Sequence, residues 1–535
     1  MFKNKKSFLL LAAMLVFALV LVGCADDDDN GAAEAPDTTP DVADEVISDR
    51  DDIRIAFSGN ITSLDPHRQN ETPASQVHRH VFQTLIVQDA EFNLHPGLAH
   101  DWEFIEDHDG PGDLYRFHIR DDVFFHNGDQ LTAYDVAFTL RRGANAPHVA
   151  PIIGMIDPDT IVVEDDHTLL VGTEMPFAPF LAHLAHAAAG IMNESVVGDL
   201  AIGDANDIHE TVVGTGPYRV TAWEPDNYII LERWDDFHDE LPRMRTIYLD
   251  INADPQNRLF ALEAGEVDFM LAPNFSDVEG IRNNPNITLW EERSVGIEFM
   301  GMNFTNQYLG IKEVRQAINY AVDVPVIVDV ATEGTGNALR GPIPSNVFCY
   351  DERLSNFERN VERAKELLAE VGLQDGFEIE LMTNSGNNAR LRAAEIIQSQ
   401  LADIGITATI NQAEWTAYLE ALDSNNFDAY FGGWGIVTGD ADYALYPLFQ
   451  SEQSPASNRV HLASPRVDEL LEAGRAAQGE ERSAIYFELL ELLHEYAPKV
   501  FLQNNQLFIA TSNNLRGFVF YPHQGHFFGD MYFVE

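Results

Sequence analysis

Apolar residues along this chain fall into three successive regimes, and each predicts a different physical state. Residues 8–22 are 15 consecutive apolar residues behind Lys3, Lys5 and Lys6. That is the arrangement of an export signal, and the run is shorter than the roughly 20 residues needed to cross a bilayer as a helix. Residues 25–50 carry almost no large apolar side chain and begin with Asp26, Asp27, Asp28 and Asp29 after Ala25. Such a stretch cannot bury enough surface to offset the entropy of ordering, so a disordered acidic tether is expected. From Ile53 onward apolar positions recur with period two or period 3.6, which predicts a folded body from about residue 51.

Within that body, residues 53–57 alternate as a strand, followed by the turn Leu64-Asp65-Pro66 and a helix carrying Val77, Val81, Phe82 and Leu85. A second module is expected from near Gln88. It has strands over 114–119, 123–125, 161–163 and 168–171, and a helix from Thr132 to Arg142 with Thr132 as N-cap and Asp135 three positions on. Gly214-Thr215-Gly216-Pro217-Tyr218 breaks the pattern and leads into strands over 219–223 and 228–233, read as a return to the first domain. A helix over 257–264 closed by Gly265 and a strand over 267–270 complete it.

Beyond Trp290 strand and helix alternate. A strand over 296–304 precedes helices marked by Val314, Ala317, Ile318 and Ala321 and by Val361, Ala364, Leu367, Leu368 and Val371. Phe377, Ile379 and Leu381 define a strand that passes through Asn384-Ser385-Gly386 into a helix over 391–404, stopped by Gly405 before a strand over 407–410. This is a βαβ unit, with the usual right-handed crossover expected. A helix over 415–422, a strand over 427–433, a loop over 435–447, a helix opened by Ser464-Pro465 and a helix over 481–496 follow. Residues 500–509 and 518–532, rich in aromatics, predict closing strands. Alternating elements imply open α/β lobes that bind ligand in the crevice at strand ends.

Charge and cysteine usage narrow the function. Thirty-three basic against 86 acidic residues give a net charge of −53. Repulsion on that scale excludes a nucleic-acid partner and suits a surface kept solvated in saline or alkaline surroundings. Of two cysteines, Cys24 directly follows the apolar run, and Cys349 sits between Phe348 and Tyr350 with no histidine beside it. No internal disulfide is expected, and Cys349 is read as a small apolar residue. There is no Gly-x-Ser-x-Gly elbow, no phosphate-binding Walker loop and no His-Glu-x-x-His helix, and Gly334-Thr335-Gly336 lacks the flanks of a dinucleotide site. Neither catalysis nor a cofactor is expected. Three close histidine pairs (His78 and His80, His183 and His186, His523 and His526) raise the question of a metal, but two histidines alone seldom hold one.

Several stretches resemble known sequences. Leu21-Val22-Gly23-Cys24 resembles the lipobox of bacterial lipoproteins. That resemblance implies a signal peptide over 1–23, acylation of Cys24 in the manner of palmitate, and a tether over 24–50 that holds the protein to the outer face of the cell membrane. Residues 126–142 (HNGDQLTAYDVAFTLRR), 214–223 (GTGPYRVTAW), 313–328 (EVRQAINYAVDVPVIV), 364–372 (AKELLAEVG) and 414–434 resemble, in order, the extracytoplasmic solute-binding proteins of ABC importers. The match is to the large dipeptide/oligopeptide/nickel class, solute-binding protein family 5. It implies an α/β, two-lobed, periplasmic-binding-protein-like fold of type II with an extra α+β domain, three domains in all. Lobe I would comprise 51–88, 206–291 and 510–535, the extra domain 89–205 and lobe II 292–509.

The same resemblance implies a monomer that captures di- or oligopeptides between closing lobes and hands them to a membrane permease. Its peptide would lie extended against protein backbone, with Gly433-Trp434-Gly435 on one lobe and Asn70-Glu71-Thr72 on the other. The family's acid for the ligand amine falls here on Val437, so Asp440 and Asp442 from a longer loop become the candidates, and Phe431 stands where some members place an arginine. Trp415 and Trp434 are expected to wall the pocket and Asn384 to offer a polar contact. Nickel or haem chelates, or a peptide-sensing lipoprotein that transports nothing, are the alternatives within this fold.

Overall fold

One long mixed sheet runs through the molecule and positions everything else. The computed structural model describes residues 45–59, 61–68 and 71–535. The expected signal, Cys24, Asn70 and most of the expected tether lie outside those residues. From one edge the sheet runs Ile406–Ala413, Phe377–Asn384, Ala429–Gly435, Ile287–Met302, Lys499–Ser512, Phe269–Leu271, Asp52–Phe57, Thr246–Ile251, Tyr228–Arg233 and Tyr218–Glu224. Each half has a parallel centre, Phe377–Asn384 beside Ile406–Ala413 and Asp52–Phe57 beside Thr246–Ile251. This is the mixed α/β architecture that the resemblance implies.

Two long antiparallel strands, Ile287–Met302 and Lys499–Ser512, join the halves. Ile287 to Arg293 pair with Ser512 to Gln506, the ladder then slips, and Ile297 to Gly301 pair with Asn504 to Lys499. Asn504 holds the slip: its Nδ2 donates to the carbonyls of Ser294 at 2.8 Å and Gly296 at 2.9 Å. A bulge of this kind bends a strand without breaking it. Among the described residues only these two strands carry the sheet from one half to the other, so few backbone torsions need change for one half to move against the other.

Each half has its own core. Ile53, Ile55 and Phe57 pack with Val77, Val81, Tyr218 and Leu249, while Val314, Ala317 and Ile318 pack with Leu367, Leu381, Ala394 and Ile397. Fully burying each large side chain contributes roughly 1.5–3 kcal/mol. A separate antiparallel sheet orders Ala99–Phe104, Leu114–Ile119, Thr168–Thr173 and Ile156–Asp165. The helix Ala133–Ala144 lies against it, opened by the capping box of Thr132 and Asp135. Its Arg142 reaches the buried Asp65 with two bonds of 2.9 and 2.7 Å, tying this sheet to the first half.

Several sequence expectations change. The folded body starts earlier than 51: Ser48 N–H donates to the Phe533 carbonyl, and Arg50 forks onto Asp268 at 2.7 and 2.6 Å. The strand expected from 296 starts at Ile287, because the charged triplet Glu291-Glu292-Arg293 is exposed and hides the alternation. Residues 518–531 are not strands; Pro522, Gly525 and Gly529 interrupt pairing, and Phe518, Phe528 and Met531 are buried by packing instead. Within the expected loop over 435–447 begins a helix, Asp442–Phe449, which the internal Pro447 disguised.

Candidate functional site

The strand Ala429–Gly435 begins with the buried Ala429, Tyr430 and Phe431 and ends in the exposed Gly433 and Gly435. On one side it is laddered to the first crossing strand, Ile297 opposite Trp434 and Glu298 opposite Gly433. On the other it pairs with Phe377–Asn384 only at Ala429 and Tyr430. From Gly432 to Gly435, then, no strand among the described residues covers the outer edge. An open edge made of glycines admits another extended chain closely.

Glu298 explains why position 433 is glycine: a Cβ there would stand 2.6 Å from Glu298 Oε1 and 3.1 Å from Arg390 Nη2. Arg390 projects from the first turn of the helix Asn388–Ala402, which Asn387 caps. Its Nε and Nη2 bind the two Glu298 oxygens at 2.7 and 3.0 Å, and its Nη1 donates to Asn384 Oδ1 at 2.8 Å. The guanidinium is thus committed, while the carboxylate keeps free lone pairs. Burial alone would lower the Arg390 pKa, but Glu298 more than offsets it and the net shift is upward.

Glu298 and Arg390 border a cavity of about 210 Å³ also lined by Asn505, Gln506, Leu507 and Phe275 among others. Phe275, Gln506 and Leu507 also line a neighbouring cavity of about 230 Å³, whose far wall is Thr72, Gln76, Gln524 and His526. Together the two hollows run along the second crossing strand from one half of the molecule to the other. Asn505 Oδ1 is buried there without a partner, an acceptor left for a guest.

The expected site residues divide. Gly433, Gly435, Asn384 and Thr72 border the open edge or these hollows, and Glu71 is exposed at the N-cap ahead of Thr72. Trp434 is half-buried against Tyr443, to whose carbonyl its Nε1 donates at 2.6 Å. Trp415 is 52% exposed and stacks on Tyr418, away from both cavities. Asp440 and Asp442 are buried in ion pairs. Arg482 forks onto Asp440 with two bonds of 2.7 Å, and Arg475 onto Asp442 at 2.9 and 3.1 Å. Their charges are neutralised inside the protein and face neither cavity.

Cys349 is a free thiol that burial pushes up to about 11, so it stays protonated and inert. Two of the paired histidines are tied into the fold: His80 Nδ1 donates to Gln76 and its Nε2 accepts from Phe528, and His183 Nδ1 donates to Ile152. Among the described residues no three potential ligands cluster around a metal position. Glu298, Arg390 and Asn505 are the residues that sequence reasoning missed. Arg390, in the first helical turn after the Asn384 loop, was the findable one.

Two α/β halves joined by a pair of crossing strands, with hollows of mixed apolar and polar lining between, define a solute receptor of the binding-protein class. Residues 93–456 match the model of the bacterial extracellular solute-binding proteins, family 5 (middle region), and the chain belongs to that family. It is the substrate-binding component of an ABC importer, acts outside the cytoplasm and is not an enzyme. The glutathione-binding protein GsiB of Pectobacterium atrosepticum is 27% identical over 483 residues, 88% of this chain and 92% of that protein. The periplasmic binding protein DppA of Helicobacter pylori, solved with the peptide STSA, superposes with a TM-score of 0.77 at 25% identity over 91% of this chain and 99% of that one. NikZ of Campylobacter jejuni, solved with Ni(L-His), shares the fold with a TM-score of 0.76 at 23% identity over 88% and 95%.

Proposed function

We propose that the chain captures di- or oligopeptides between its halves and delivers them to a membrane permease. The observation that carries this reading is the open edge at Gly433-Trp434-Gly435 above the Glu298 side chain. A peptide laid along that edge gains main-chain hydrogen bonds that do not depend on its side chains. Glu298, held in place by Arg390 and Asn384, receives the peptide's ammonium through its remaining lone pairs. Asp440 and Asp442 act through the fold, as the internal partners of Arg482 and Arg475. Support comes also from the relatives, since GsiB is named for glutathione, itself a tripeptide, and DppA was solved with a tetrapeptide.

On this reading the mature protein is a monomer acylated at Cys24 and moored to the outer face of the membrane, with the permease as its partner. Calorimetry of the full chain with a mixed di- and tripeptide library tests the ligand, alongside absorption titrations with nickel-histidine and with haem. Heat with peptides and an unchanged metal spectrum is the expected result. Saturable metal or haem uptake with no peptide heat overturns it.

A further inference from the structure

We propose that Arg79, with the imidazole N–H groups of His186, His523 and His526, forms a subsite for an anionic group of the solute, so that the ligand carries a free carboxylate. This rests on the peptide reading and gives the peptide's other end a partner. Arg79 lies on the helix Thr72–Val81, three and seven positions after Gln76 and Thr72, hence one turn beyond Gln76 and two beyond Thr72, both of which line the second hollow. Its stem rests on Gly525, where a Cβ would collide with Nε. Gly525 sits between Gln524 and His526, both in the wall of that hollow, and Gln76 Nε2 fastens the segment by donating to the Gln524 carbonyl at 2.7 Å.

Among the described residues the Arg79 side chain makes no hydrogen bond and no ion pair, and no carboxylate acts on it. In a chain with 86 acidic side chains for 33 basic ones, that isolation is informative. Burial pulls its pKa down to about 10, opposed only by Tyr521, so it remains charged at neutral pH. A part-buried cation without a partner costs free energy, and an anion that joins it removes much of that cost.

The histidines around Arg79 are set as donors. His186 Nδ1 accepts from Ala188 N–H at 3.1 Å, His523 Nδ1 from Gly525 N–H at 3.0 Å and His526 Nδ1 from Tyr521 N–H at 3.3 Å. A neutral imidazole that accepts at Nδ1 carries its proton on Nε2. Burial and then the charge of Arg79 depress all three, to about 3 for His186 and His526 and well below the ordinary value for His523. Each is therefore neutral and presents an Nε2–H, and that of His523 is buried with no partner. One guanidinium and three N–H donors with no carboxylate match an acceptor-only group, and they repel an ammonium or a bare metal ion.

The test compares wild type and Arg79→Gln, as full chains, by calorimetry against one tripeptide library with free C-termini and the same library as C-terminal amides. Wild type should prefer the acids by roughly 30-fold or more, the usual scale for truncating a desolvated charge pair, and Arg79→Gln should lose that preference. Equal binding of acids and amides by wild type, or a preference retained in Arg79→Gln, overturns the assignment. Should neither library bind, the peptide reading fails, and the ligand-free thermal midpoint still decides on Arg79. Removing an unpartnered, part-buried charge should leave the midpoint unchanged or raise it, whereas a fall of several degrees makes Arg79 structural and overturns the subsite.

Discussion

Glu298 and Gly433 face each other across one rung of a ladder, and each constrains the other. Replacing Gly433 by Ala puts a methyl group against the flexible end of Glu298. The fold should lose under about 1 kcal/mol, since a side-chain end can shift, while peptide affinity measured by calorimetry should fall about tenfold as the carboxylate turns away. Unchanged affinity would remove Glu298 from the site. Asp440 provides the contrast. Breaking a buried pair by removing one partner costs about 3–5 kcal/mol, so Asp440→Asn should lower the thermal midpoint markedly by stranding Arg482. An Asp440→Asn protein of normal stability that has lost peptide affinity would return the amine-binding role to Asp440. Residue roles of this sort were only half legible beforehand. The Gly-Trp-Gly stretch and Asn384 stand out locally, but the Glu298 role depends on a strand register set by residues more than a hundred positions away.

At the scale of elements, the two crossing strands carry the mechanical argument. Asn504 bonds two carbonyls at the slip in their ladder; Asn504→Ala takes this donor from both, and with Ser294 still bonded by Asn346 Nδ2 at 3.1 Å the change should cost about 1–2 kcal/mol. Calorimetric unfolding measures that loss, and no change in midpoint would mean the bulge holds itself. Periodicity found the helices well, including the capping box at Thr132 and the glycine stops at Gly265 and Gly405, because those signals lie within a few residues. It misread the first crossing strand, whose three exposed charges mask the alternation, and the C-terminal aromatics, which pack as single side chains on a core built from distant segments. Both errors share a cause: burial there is decided by tertiary partners that a local window does not contain.

For the molecule as a whole, charge and buried histidines set the response to solvent. His78, His80 and His126 are depressed to about 4, and His186 and His526 to about 3, in each case chiefly by burial. Unfolded, each titrates near 6.5, so the unfolded state binds more protons between that value and the folded one, and stability drops as pH falls through the window. At pH 5.5 the loss is about 1.4 kcal/mol per histidine. Thermal midpoints should be level from pH 7 to 9 and fall steeply below 6.5; a midpoint flat down to pH 5 contradicts the buried neutral state. With a net charge of −53, added salt should raise stability from near zero by screening self-repulsion. A steady fall with salt would count against a surface adapted to saline surroundings.

The peptide reading as a whole is tested most directly by native mass spectrometry of the protein purified without denaturation. It predicts bound masses of short peptides that leave on unfolding and return on mixing with a peptide library. A retained mass matching a nickel chelate or haem, with no peptide taken up, would contradict it.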